Sequence, residues 1–312
     1  MYCGNNLTAG VRVWSAGAAL AGLILGGYTW AAEEATIAPA SRKVEAKNMK
    51  LIGYHDLHAR SAYQPLVHHQ GNRWIAYIGH HGGTREIPQQ YNPLTKQNED
   101  NGTSIIDVTD PKHPKYLSHI PGEPGFGEQG GAQMVRVCDG KDLPKADRSK
   151  TYLLRTGGTS AQEIWDVTVP ERPSLLTTVL RGLKDTHKNW WECNTGIAYL
   201  ISDGRPEKWR TKRMTKIYDL SDPANPKFIR NFALVGQQPG AAGDNVPEDT
   251  HGPIVVGNRV YFGYGTLVGG VMQIVDRDKL LKGNSASSDP YAPTVENLLY
   301  PQISRLDRKS VV

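Results

Sequence analysis

The feature that most constrains this chain is a short motif that returns four times. Ile105-Ile106-Asp107-Val108-Thr109-Asp110-Pro111-Lys112-His113-Pro114 is echoed by Ile164-Trp165-Asp166-Val167-Thr168-Val169-Pro170-Glu171-Arg172-Pro173 and by Ile217-Tyr218-Asp219-Leu220-Ser221-Asp222-Pro223-Ala224-Asn225-Pro226. A fourth copy, Ile274-Val275-Asp276-Arg277-Asp278, keeps the first half only. The first aspartates are 59, 53 and 57 residues apart. A fixed period of this size signals a repeat architecture, in which each copy is one supersecondary unit. Within a copy the apolar pair reads as the end of a strand. The aspartate can accept from backbone N–H groups beyond it, and the Pro-x-x-Pro stretch is a rigid turn with few free donors.

Each motif sits in the same sequence of strand-like runs. Lys115–Ile120, Ser174–Leu180 and 227–235 follow the turns. Upstream lie 74–79, 151–155, Ile197–Ser202 and 260–265, and before those 64–69, 133–138, 190–195 and 253–256. Gly71-Asn72 and Gly257-Asn258 suit hairpin turns between the first two runs. Four antiparallel strands per repeat at this period predict an all-β chain, a β-propeller of four-stranded blades at about 60–121, 129–182, 187–236 and 249–303. No helical periodicity is visible in this part. With 33 Gly and 20 Pro, the composition agrees with many turns.

These repeats resemble the LVIVD-repeat family of bacterial extracytoplasmic β-propeller proteins. Three copies match closely and the fourth in part, across about 250 residues. The resemblance implies a propeller outside the cytoplasm and supplies no catalytic residues.

The ends carry further expectations. Residues 1–31 hold a single charge, Arg12, and Val13 to Ala32 is an uncharged run of 20 residues ahead of Glu33-Glu34. This reads as a signal peptide, or else as an uncleaved anchor, followed by a linker over 32–47. Either places the folded part in the periplasm or outside the cell. Lys50 to His55 resembles the outer strand of a blade and predicts an N-terminal strand that closes the ring. Four blades are then visible over 48–303, the ring calls for more strands than the sequence supplies, and 304–312 reads as a non-native tail. In an oxidising compartment Cys138 and Cys193 are either bridged or two buried thiols. Mean hydropathy of −0.48 excludes a multi-span membrane protein, leaving only the N-terminal anchor as a membrane contact. The net charge of +5 is too mild for nucleic acid as the main partner.

Propeller topology gathers several histidines near one channel mouth. His58, His187, His251, Asp249 and Glu192 fall in or beside the connections between blades, and His80-His81 begins a second-to-third-strand loop. In an extended segment His80 and His81 point to opposite sides, so only one of them can serve. A metal site of His58, His80, His187, His251 and Asp249 would suit one Zn, Cu or Fe ion and a metal-dependent enzyme. Histidines scattered over loops are the alternative. Trp190-Trp191 beside Glu192 reads either as a stacking platform or as packing between blades. The basic segment with Arg205, Trp209 and Arg210 reads either as a docking patch or as a solvated hairpin. P-loop, dinucleotide and nucleophile-elbow signatures are absent. The sequence therefore supports a recognition module for a protein, glycan, surface component or small ligand at the mouth, with the metal-dependent enzyme as the alternative.

Overall fold

The computed structural model describes residues 47–243, 249–265 and 270–308 of the chain. The predicted leader and most of the linker lie outside the described residues. The chain divides into two compact units, and every sheet lies in the unit that begins at Leu51.

The first sheet opens with β1 (Tyr63–Gln70) and β2 (Arg73–Gly79). An insertion follows with β3 (His81–Gly82) and the hairpin of β4 (Gln89–Asn92) and β5 (Gln97–Asp100). β6 (Thr103–Asp107) and β7 (Lys115–Ile120) complete the sheet in the order β1-β2-β6-β7. β8 (Gly127–Gly131) pairs with β3. The second sheet is β9 (Val135–Asp139), β10 (Thr151–Gly157), β11 (Ala161–Asp166) and β12 (Ser174–Leu180). The third is β13 (Asn189–Trp191), β14 (Ile197–Ser202), β15 (Met214–Asp219) and β16 (Lys227–Phe232). The fourth is β17 (Thr250–Val256), β18 (Arg259–Tyr264), β19 (Gly270–Asp276) and β20 (Gln302–Arg308), with α1 (Arg277–Lys282) and α2 (Val295–Leu299) between its last two strands. The described chain is all-β, and its four-stranded sheets are antiparallel with neighbours in chain order.

The sheets pack face to face in sequence. Ile75, Tyr77 and Ile105 of the first meet Val135, Val137 and Leu153 of the second. Tyr152, Leu154 and Ile164 of the second meet Trp191, Ala198 and Leu200 of the third. Tyr199 and Ile217 of the third meet Val260, Phe262 and Val275 of the fourth. Alternate residues of one strand thus serve two interfaces, as the two-residue period of a strand dictates. Strands covered on both faces read as continuous apolar runs, which is why β10 and β14 stand out in the sequence. The first strands also lie beside one another, β1 against β9, β9 against β13 and β13 against β17. On the side of the fourth sheet away from the third, Ile254, Val256, Met272 and Leu306 are exposed.

The motif aspartates act as turn anchors. Asp107, Asp166 and Asp219 accept from the N–H groups of Thr109, Thr168 and Ser221 at 2.9, 3.0 and 2.8 Å. Asp219→Ala is expected to lower stability by about 1–2 kcal/mol, read as a shift of the urea midpoint. Asp219→Asn keeps the accepting oxygen and loses less.

Three expectations need correction. The fourth motif lacks the Pro-x-x-Pro turn, so Asp276 instead caps a helix by accepting from the Lys279 N–H at 3.0 Å, and helices enter a region where none was expected. The outer strand of that sheet runs to Arg308, so the segment read as a tail from 304 is strand as far as 308. The 50–55 segment joins no sheet; it lies against the first motif turn, where a Cβ on Gly53 would stand 1.9 Å from the Pro111 carbonyl oxygen. Cys138 and Cys193 are bridged, with their Cα atoms 5.4 Å apart, which ties β9 to the turn after β13.

Candidate functional site

At one end of the sheets, opposite the motif turns, lies a cleft of about 480 Å³ lined by Glu128, His187, Arg213, His251, Gly263, Tyr264 and Gly265. Its parts come from the end of β18, the starts of β17 and of the chain entering β13 and β15, and from β8. His187 precedes β13 and is 1% exposed, yet both of its ring nitrogens lack a hydrogen-bond partner. Its ring centroid is 5.0 Å from that of His251. Burial, then the nearby Arg213 and His251, pushes the His187 imidazole down to about 3, so it is neutral at physiological pH. His251 is also lowered, by burial and then by Lys188 and Arg213. Arg213 Nη2 donates to Glu128 Oε2 at 3.2 Å. Lys188 Nζ sits 4.9 Å over the Tyr63 ring, and Tyr63 also packs at 4.4 Å on His81. Gly263 leaves open space where a side chain would stand. The cleft therefore offers neutral imidazoles in a field with more positive than negative charge.

The metal candidates do not come together as one set. His187 and His251 share the cleft. His80 points instead to the free side of the first sheet, where its Nδ1 meets the Ser61 carbonyl and its Nε2 meets Ser104 Oγ at 2.7 Å. Burial, chiefly, takes its imidazole down to about 4. Its neighbour His81 lies on the cleft side, close enough to His187 for their charges to interact. His58 lies in a turn of Leu57, His58 and Ala59, all with left-handed φ of 52–62°, edge-on to Tyr116 at 4.5 Å. Asp249 is committed to a turn, where its Oδ1 accepts from Thr211 Oγ1 at 2.7 Å and the Lys212 N–H at 2.8 Å. Among the described residues no three His, Cys, Asp or Glu side chains are placed to hold a metal ion.

The binding candidates also move. Trp191 is buried between the second and third sheets, and Trp190 packs toward the fourth with the Arg136 guanidinium 4.9 Å over its ring. The pair is packing, not a platform. Glu192 lies at the opposite end from the cleft, because β13 stops at Trp191 and turns. There its oxygens accept from Arg277 Nε at 3.0 and 2.9 Å and from Tyr199 OH at 2.9 Å. Trp209 is buried in the core of the third and fourth sheets. Arg205 donates to Asp203 and Asp185, Arg210 to the carbonyls of Ala241 and Gly243, and Lys216 pairs with Glu207. Within the basic segment only Lys216 meets an acid of the segment itself, while Arg205 pairs with acids just before it and Arg210 is held by backbone carbonyls. Arg213 is one of the cations of the basic segment, though its meeting with His187 was not foreseen; what sequence reasoning missed is Glu128, Lys188 and Tyr264, of which only Lys188 carried a signal, its place next to His187.

No known family and no curated protein matches the chain. Among solved structures it is similar to Kuenenia stuttgartiensis hydrazine synthase, with 11% sequence identity and a TM-score of 0.43. The likeness covers 74% of this chain and 59% of that one. Among the described residues no helix is long and apolar enough to cross a membrane.

Proposed function

We propose that the four sheets are blades of an extracytoplasmic β-propeller of the LVIVD-repeat kind, and that it acts as a recognition module for a small carboxylate-bearing ligand in the His187 cleft. The blade reading is supported by the repeat, by the face-to-face order of the sheets and by the adjacency of their first strands. Placement outside the cytoplasm is supported by the leader-like N-terminus and the Cys138–Cys193 bridge.

The observation that carries the ligand reading is His187, buried on the cleft wall with neither nitrogen satisfied. A buried polar group without a partner is costly, and a ligand that fills the cleft and bonds to it removes that cost. Arg213 and Lys188 set the sign of the ligand. The positive charge of Arg213 and Lys188, which adds to burial in lowering His187 and His251, also opposes a metal cation, and two imidazoles without a third ligand make a poor metal centre. A carboxylate accepts from Arg213 and from an imidazole N–H at once.

Calorimetric titration with glucuronate, galacturonate, citrate and succinate tests this. At least one is expected to bind, with affinity falling about tenfold or more in Arg213→Gln and in His187→Phe. Binding that both variants leave intact, or stoichiometric Zn or Cu in protein purified without added metal, contradicts the reading.

A further inference from the structure

Away from the cleft, the third sheet brings a lysine, a carboxylate and a carboxamide into mutual contact. Lys216 of β15 stands between Leu200 of β14 and Asn231 of β16, its direct cross-strand neighbours. It is 3% exposed, a rare place for an ammonium group. Residues directly opposite on an antiparallel pair have their Cβ atoms about 5 Å apart on one face of the sheet, so Lys216 and Asn231 share a face. Leu200 and Tyr218 belong to that face and pack on the second sheet.

Glu207 closes the group. It ends a short helical turn, Arg205–Glu207, and the N–H groups of Glu207 and Trp209 both donate to the Gly204 carbonyl at 3.0 Å. Trp209 is buried in the core of the third and fourth sheets and so fixes where the turn lies. Glu207 Oε1 accepts from Lys216 Nζ, and Glu207 Oε2 accepts from Asn231 Nδ2. Among the described residues Lys216 has no other ion-pair partner. An ion pair needs only the lysine and the glutamate. The third member adds an amide carbon beside the amine, with its leaving nitrogen already on the other oxygen of the same carboxylate.

We infer that Lys216 and Asn231 are joined by an intramolecular amide bond, formed with Glu207 as the proton carrier. Glu207 Oε1 takes a proton from the Lys216 ammonium, and the neutral Nζ attacks Asn231 Cγ. Glu207 hands that proton through Oε2 to Asn231 Nδ2. The Nζ–Cγ bond forms, the Cγ–Nδ2 bond breaks and the nitrogen leaves as ammonia. The second Nζ proton follows and departs with it as ammonium, so Glu207 ends as the carboxylate it was. No oxidant, reductant or co-reactant is consumed. The bond ties β16, an edge strand of the third sheet, to its neighbour. Reductant opens the Cys138–Cys193 bridge but leaves this link closed. The inference is independent of the ligand proposed for the His187 cleft.

Mass spectrometry of a tryptic digest of the full chain tests it. The wild type is expected to yield residues 214–227, uncut at Lys216, attached to the peptide that begins at Asn231, the pair lighter by one ammonia. Lys216→Arg is expected to yield none of it. Glu207→Gln keeps the size of the side chain and is expected to slow formation of the link about a hundredfold or more. The Cys138–Cys193 bridge, read in an unreduced portion of each sample, reports whether that sample has folded. Separate, unmodified peptides carrying Lys216 and Asn231 from bridged wild-type protein overturn the inference and leave Lys216 and Glu207 as an ion pair. A link that forms as fast in bridged Glu207→Gln overturns the part given to Glu207.

Discussion

Replacing Cys138 and Cys193 together by serine is expected to cost about 4 kcal/mol of stability. The bridge spans 55 residues, and closing a loop of that length removes roughly this much chain entropy from the unfolded state. It also fixes a junction between repeats. Cys138 is the last residue but one of an edge strand of the second sheet and Cys193 lies in the turn of the third, beside Trp191 and Tyr152 in their shared core. Urea unfolding of the double variant, and of the wild type with and without reductant, checks this. The double variant and the reduced wild type should lose similar amounts. A loss below about 1 kcal/mol would mean that the junction is held by its apolar contacts alone.

Acid is expected to destabilise the protein well above the carboxylate range. His80 and His187 are held down to about 4 and about 3, chiefly by burial. In the unfolded chain both titrate near 6.5. Below that pH the unfolded state binds protons that the native state refuses, so stability falls as pH falls from about 6.5 toward the native values. Each group approaches a slope of about 1.4 kcal/mol per pH unit. Between pH 6.5 and 5 the two together remove about 3 kcal/mol. Urea midpoints across this range measure the slope, and His187→Phe should remove about 1.5 kcal/mol of the loss between pH 6.5 and 5. A flat profile from pH 7 to 5 would show that these imidazoles charge freely in the native state.

The fold was legible because each repeat obeys one local rule. Asp107, Asp166 and Asp219 anchor the same turn, and the runs before and after them pair as their alternation requires. Legibility ended where a copy broke the rule. Without Pro-x-x-Pro, Asp276 became a helix cap, and two short helices and a displaced outer strand followed. Glu192 was misplaced by a shift of only a few residues. Its strand ends at Trp191, and Asn194-Thr195-Gly196 turns the chain, so the carboxylate pairs with Arg277 at the far end of the sheets.

The site was legible only as a neighbourhood. The repeat order brought His187 and His251 to one end of the sheets, and the two-residue period of a strand separated His80 from His81. It did not say which of the two faces the cleft. Whether Asp249, Trp209 and Arg210 were free could not be read from spacing, because their partners are Thr211, the sheet core and the carbonyls of 241 and 243. Arg213 and Glu128 are 85 residues apart and meet only in the folded chain.

On the proposed function, the unsatisfied imidazole of His187 is a ligand contact. The most direct measurement is the ring nitrogen spectrum of His187 in ¹⁵N-histidine-labelled protein at pH 6, followed while glucuronate, galacturonate, citrate and succinate are added in turn. A neutral imidazole is expected before addition, and a saturable shift of its ring nitrogens with at least one carboxylate, absent in Arg213→Gln. A charged His187 at pH 6, or ring nitrogens that no carboxylate moves while Zn does, would contradict it.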